Sequence, residues 1–160
     1  MNKVIDSFLL ASSILLLSTT GIQAQQQDGM ESVKAANQAF YELISKEDMA
    51  GFETLWAHAP YVRAIHPVSQ QVEKGWETVR ATFQDIFDRY DNISVTMPEP
   101  QVRVGDKIAW VTGEELMSAN DHSSGEAFSV TLLGTNVFEK AGDRWLMVHH
   151  HVSVAATPGK

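Results

Sequence analysis

The sequence predicts an α+β domain in which N-terminal helices pack on one face of a curved antiparallel sheet. Three observations predict it. Apolar residues recur at helical spacing through the first half, as in Val33, Ala36, Phe40, Leu43 and Ile44. From Ile93 onward they alternate instead, which is the period of a strand. Short clusters containing Gly, Asp and Asn then divide this second half into hairpins.

The first 24 residues stand apart. Lys3 opens a weakly positive segment, although Asp6 is discordant there. Phe8 to Leu17 is a run of 10 residues interrupted only by Ser12 and Ser13, and Gly21-Ile22-Gln23-Ala24 offers a cleavage site. These are the features of a secretory signal peptide cut after Ala24. The run is too short for a membrane anchor, which needs about 20 apolar residues. The expected organisation is therefore a signal peptide at 1–24, a mobile leader at 25–30, one domain over 31–155 and a tail at 156–160.

Asp28 and Glu31 resemble a capping box, and a helix is expected from about 29 to 46. Asp48 can cap a shorter helix carrying Met49, Phe52, Leu55 and Trp56, which Pro60 prevents from continuing. Tyr61 to His66 reads as a strand. Gly75 opens an amphipathic helix whose apolar face is Trp76, Val79, Phe83, Ile86 and Phe87. Strands follow at Ile93 to Met97, Gln101 to Val104, Lys107 to Met117 and Ala127 to Lys140. Gly105-Asp106 joins one pair, and Ala141-Gly142-Asp143 leads into Arg144 to Val154. A three-residue loop there would place Thr135 opposite His149 and Leu133 opposite His151.

The last strand carries His149, His150 and His151 in succession. Strict alternation puts Trp145, Met147, His149, His151 and Ser153 on one side, and Leu146, Val148, His150 and Val152 on the other. Both sides are largely apolar, so an interior strand is expected.

Composition narrows the partners. The formal net charge is -8 with no run of Lys or Arg, which argues against nucleic acid and anionic membrane surfaces. The absence of cysteine removes disulfides, thiol chemistry and Cys-zinc sites.

Three stretches carry a resemblance. Ala64-Ile65-His66-Pro67, Gly75-Trp76-Glu77-Thr78-Val79-Arg80, and Gly142-Asp143-Arg144-Trp145 running into His149-His150-His151-Val152-Ser153 are similar to the SnoaL-like branch of the NTF2-like superfamily. The resemblance spans about Glu31 to Ser153. It implies a cone-shaped half-barrel with an internal pocket, and dimerisation through the outer sheet face. It does not imply one activity, because this fold hosts isomerases, cyclases, dehydratases, binding domains and assembly modules.

In that geometry His149 and His151 are the catalytic candidates, with His66, Trp76, Thr135 and Met147 as ligand-binding candidates. Three readings of the histidines compete. They are neutral, hydrogen-bonded core residues; or one of them is a general acid or base in an apolar pocket; or His149 and His151 hold a metal with His66. A pairing of Tyr41 with Glu114 or Glu115, after the ketosteroid isomerases, is the weaker alternative. No carboxylate or thiolate completes a metal set, so neither metal nor other cofactor is expected. The expected molecule is exported to a periplasm or the extracellular space and is free of the membrane after cleavage. It binds a neutral or amphipathic organic ligand, with His-assisted proton transfer of isomerase or hydrolase type. The alternative is a non-catalytic dimeric assembly module with a vestigial pocket.

Overall fold

The computed structural model describes residues 27–156; the expected signal peptide, and 157–160 of the tail, lie outside the described residues. Helix α1 runs through 27–45, so residues 27–30 of the expected leader are helical and Asp28 lies inside the helix rather than capping it. Asp48 caps α2 (Met49–Glu53) as its sequence suggests, accepting from the Gly51 amide. Strand β1 (Arg63–Ile65) and the short β2 (Glu73–Lys74) follow. Gly75, at φ 85°, turns the chain into α3 (Trp76–Arg89). Only glycine takes that conformation without strain.

The remaining chain is sheet: β3 (Tyr90–Thr96), β4 (Gln101–Val104), β5 (Ile108–Asp121), β6 (Ala127–Ala141) and β7 (Arg144–Val154). The strand order is β2-β1-β7-β6-β5-β3, with β4 also on β5. All neighbours are antiparallel except β1 and β7, which are parallel. The histidine strand is thus interior, as its two apolar faces suggest.

The helices lie on the concave face, and their aromatic side chains form the core. Phe52 and Phe83 rings are 4.4 Å apart, and Phe40 meets Phe83 edge-on at 6.0 Å. Ala109, Val111, Phe138, Trp145 and Met147 meet them from the sheet, all buried. Burial of this surface, at roughly 25 cal/mol per Å² of apolar area, is the main stabilising contribution. The convex face carries exposed Trp110, Leu116 and Leu133.

Two expectations about β7 are corrected. The loop before it has two residues, with Ala141 opposite Arg144 and Gly142 at φ 63°. A left-handed residue at the first loop position is what a II′ hairpin turn requires. More consequentially, the ladder shifts register: Met147 faces Phe138 but His149 faces Val137, so Val148 is the extra residue of a β-bulge. The bulge falls where β7 changes neighbour. Met147 exchanges hydrogen bonds with Leu55 and Ala57, whereas His149, His150 and His151 lie beside β1. Side-chain parity inverts at this point. Trp145 and Met147 point inward, and so do His150 and Val152.

Candidate functional site

Between α1, α3 and the concave face lies a cavity of about 230 Å³. Its walls are mostly apolar, including Phe40, Phe83, Phe128, Leu132 and Val152, with His66, Glu115, His150 and the Tyr90 phenol as the groups that carry polar side-chain atoms. Val68 and Val154, both well exposed, mark the mouth. At ~30 Å³ per water the space equals about eight waters. It is smaller than a drug-sized pocket of ~300 Å³ or more.

The bulge decides which histidine reaches this space. His149 and His151, the catalytic candidates of strict alternation, are half-buried on the convex face with ring centroids 6.4 Å apart. Thr135, opposite His151, is on that face too. Of the ligand-binding candidates, only His66 lines the cavity. Met147 and Trp76 are core residues outside the lining, and Trp76 stacks on His58 at 4.6 Å. A three-histidine metal set is therefore not assembled, because His66 lies inside the sheet and the other two outside. No cluster of three or more His, Cys, Asp or Glu suited to a metal occurs among the described residues.

In place of those residues, a hydrogen-bonded chain crosses the concave sheet face. The His150 Nδ1–H donates to Asn136 Oδ1 at 2.7 Å. Asn136 Nδ2 donates to Asn37 Oδ1 at 2.8 Å and to Tyr41 Oη at 3.0 Å. The Tyr41 hydroxyl donates to Glu115 Oε1 at 2.8 Å. Every member is buried. The donor senses agree along the whole chain, which fixes the Asn136 amide orientation and leaves His150 Nε2 as the acceptor of a neutral ring.

Each link depends on local sequence. Asn37 and Tyr41 are one helical turn apart on α1 and so project together. Asn136 and Gly134 alternate inward on β6, and Glu115 comes from β5 beside them. Gly134 makes the room: a Cβ there would lie 2.0 Å from Glu115 Oε1. The carboxylate lies flat across that strand only because the residue has no side chain.

Burial sets the electrostatics. Desolvation pushes the Glu115 carboxyl up to about 7, although the hydrogen bond from Tyr41 opposes it. Tyr41 is raised far above the usual tyrosine range, first by burial and then by the Glu115 charge. His150 is held well below the ordinary histidine value, chiefly by burial and then by the charges of His66, His149 and His151. His149 is also lowered, by partial burial and then by His151. The cavity thus combines a carboxyl poised near neutrality with an imidazole that stays neutral. The pairing of Tyr41 with Glu115, the weaker alternative in the sequence, is thus present, and Glu114 is exposed on the other face. The usable signal was glycine in a strand, which marks the crowded face.

The comparisons agree with this architecture. The sequence profile of the SnoaL-like domain matches residues 33–157. F-box protein SKIP8 of Arabidopsis thaliana is 30% identical over 123 residues, 77% of this chain, and the chain spans 49% of that protein. An NTF2-like family protein from Streptomyces avermitilis, provisionally described as a dehydratase, superposes with a TM-score of 0.74 at 27% identity, covering 82% of this chain and 99% of that one. The association domain of C. elegans CaMKII superposes with a TM-score of 0.63 at 26% identity, over 82% and 97% of the two chains. The chain belongs to the SnoaL-like family, within the NTF2-like superfamily.

Proposed function

We propose that the domain is a small-molecule pocket protein that binds a small, mostly apolar organic guest and exchanges a proton with it through Glu115 and His150. One observation carries this reading: a continuous hydrogen-bonded polar chain is buried in the wall of an apolar cavity, with its two ends, His150 and Glu115, lining the space. Burying a carboxylate is costly, and apolar residues would fill the same wall at less cost. Perturbed acids and bases gathered in a cleft are what proton transfer needs. Glu115 can take or return a proton near neutral pH, and His150 Nε2 accepts. The chemistry is of isomerase or hydrolase type, in keeping with a family fold that also occurs in the provisional dehydratase.

The test uses cyclohexanone and phenol as probes, with binding followed by NMR and α-proton exchange of the ketone followed in D2O. Saturable binding should be lost in Val130→Trp, which blocks the cavity wall. Exchange should fall by about 10²-fold or more in Glu115→Gln. Binding that Val130→Trp leaves intact, or exchange equal in Glu115→Gln, refutes the reading.

A second reading, assembly, draws on the convex face. Trp110 and Leu133 are 45% and 48% exposed there, and Trp110, Val137 and His149 form one row across three strands. An apolar sheet face of this kind suits an isologous homodimer, and the likeness to an association domain supports it. Light scattering should give twice the chain mass, reduced to one in Trp110→Lys/Leu133→Lys. Export is also part of the proposal, and N-terminal sequencing of the secreted form should begin at Gln25.

A further inference from the structure

The polar chain does not account for His66. Its ring lines the cavity, meets Phe83 edge-on at 5.0 Å and has its centroid 5.6 Å from that of His150. On the other side its Nδ1 lies 3.2 Å from Glu73 Oε1 and 3.0 Å from Oε2. The two side chains are only 9% and 12% exposed. Ser69 closes the arrangement: the His66 amide donates to Ser69 Oγ at 2.9 Å, and Ser69 Oγ donates to Glu73 Oε1 at 2.7 Å. Glu73 itself is placed by β2, where it pairs with Ala64. Burial alone would raise this carboxyl, but the hydrogen bonds from His66 and Ser69 hold it below the usual range.

An ionised carboxylate only accepts, so Nδ1 must carry a proton. That leaves Nε2, which is buried and has no hydrogen-bond partner among the described residues. Such groups are rare and call for a functional or ligand explanation. We propose that Glu73 is the positioning residue of the cavity, fixing His66 through Nδ1 so that Nε2 is the contact for a polar group of the guest, a hydroxyl or an acidified C–H. The inference rests on the pocket reading above. When Nε2 takes the proton, the electron pair of the broken O–H or C–H bond stays on the guest. The imidazolium so formed faces the Glu73 carboxylate, and the proton then returns from Nε2 to the guest. A carboxylate behind an imidazole sets the tautomer and supports its charge in this way.

The test is long-range ¹H–¹⁵N NMR of the imidazoles in the full chain, with phenol as the probe. In the wild type Nδ1 of His66 should carry a proton, and its Nε2 resonance should move on phenol addition. In Glu73→Leu the proton should distribute over both nitrogens and the phenol-induced shift should fall at least tenfold, while Glu73→Asp restores both. Glu73→Ala stands beside the leucine variant in case the latter disturbs β2. An unprotonated Nδ1 in the wild type, or Glu73 variants in which both signals persist, overturns the inference. Phenol that moves neither His66 nor His150 refutes the pocket reading instead, and the tautomer measured without probe still decides the role of Glu73.

Discussion

Replacing Glu115 by Gln removes one ionisable group and leaves the packing beside Gly134 nearly unchanged, so its consequence can be worked out. The carboxyl lies at about 7 in the folded protein against 4.5 for an unperturbed group. Below pH 4.5 both folded and unfolded chains hold the proton. Between 4.5 and 7 the unfolded chain ionises while the folded one does not, so stability is lost as pH rises through that window. The difference of about 2.5 units, at 1.36 kcal/mol each, is about 3 kcal/mol. His150 has the opposite sign: its depressed value makes stability fall as pH drops below 6.5. The raw profile therefore mixes the two effects, and the difference between variants isolates one. Urea unfolding followed by tryptophan fluorescence should show Glu115→Gln gaining about 3 kcal/mol on the wild type between pH 4.5 and pH 8. A difference that is flat with pH, or that runs the other way, would mean Glu115 is solvated or more strongly partnered, and the account of the site would fail.

Gly134→Ala forces the Glu115 carboxylate out of its place and should cost about 1–3 kcal/mol. Much of that should return in the double variant with Glu115→Ala, a coupling measured by a double-mutant cycle. His150→Leu orphans Asn136 Oδ1 and should cost about 1–3 kcal/mol. His149→Gln and His151→Gln should each stay within about 0.5 kcal/mol in the monomer, and equal losses at all three positions would contradict the inward placement of His150 alone. Deleting Val148 removes the extra residue and leaves Met147 opposite Phe138 and His150 opposite Asn136. The deletion variant should fold and retain the His150 to Asn136 bond in its ¹⁵N spectrum, whereas loss of that bond would mean the bulge does not set the parity.

Most of the fold was legible because local signals agreed. The apolar spacing of α3, the Asp48 cap and the Gly142 turn each follow from residue chemistry, and the hairpins from Gly105 and Gly142 came out near their expected bounds. The parallel pairing of β1 with β7 had no local signature, since it joins residues more than 80 positions apart. The site was less legible for one reason. β7 is apolar on both faces, so its sequence contains no pattern that slips when a residue is added. A bulge in such a strand leaves no trace in hydrophobicity while exchanging the faces of every residue beyond it. Glu73 has no local signature, because its meaning depends on a turn that returns it to His66.

The bulge also explains why the chemistry of the cavity is assembled from so many elements. Asn136 can reach His150, Asn37 and Tyr41 at once only if β7 presents His150 inward at the level of Asn136, and Met147 inward two rungs away at Phe138. Regular alternation satisfies only one of these. It would either expose Met147, at a cost of about 2–3 kcal/mol for an apolar side chain of that size, or leave Asn136 buried without its partner from β7, at about 1–3 kcal/mol. One unpaired residue at Val148 avoids both. It places a methionine in the core and, three residues on, a neutral imidazole in the cavity wall, while His149 and His151 are left half-buried on the convex face.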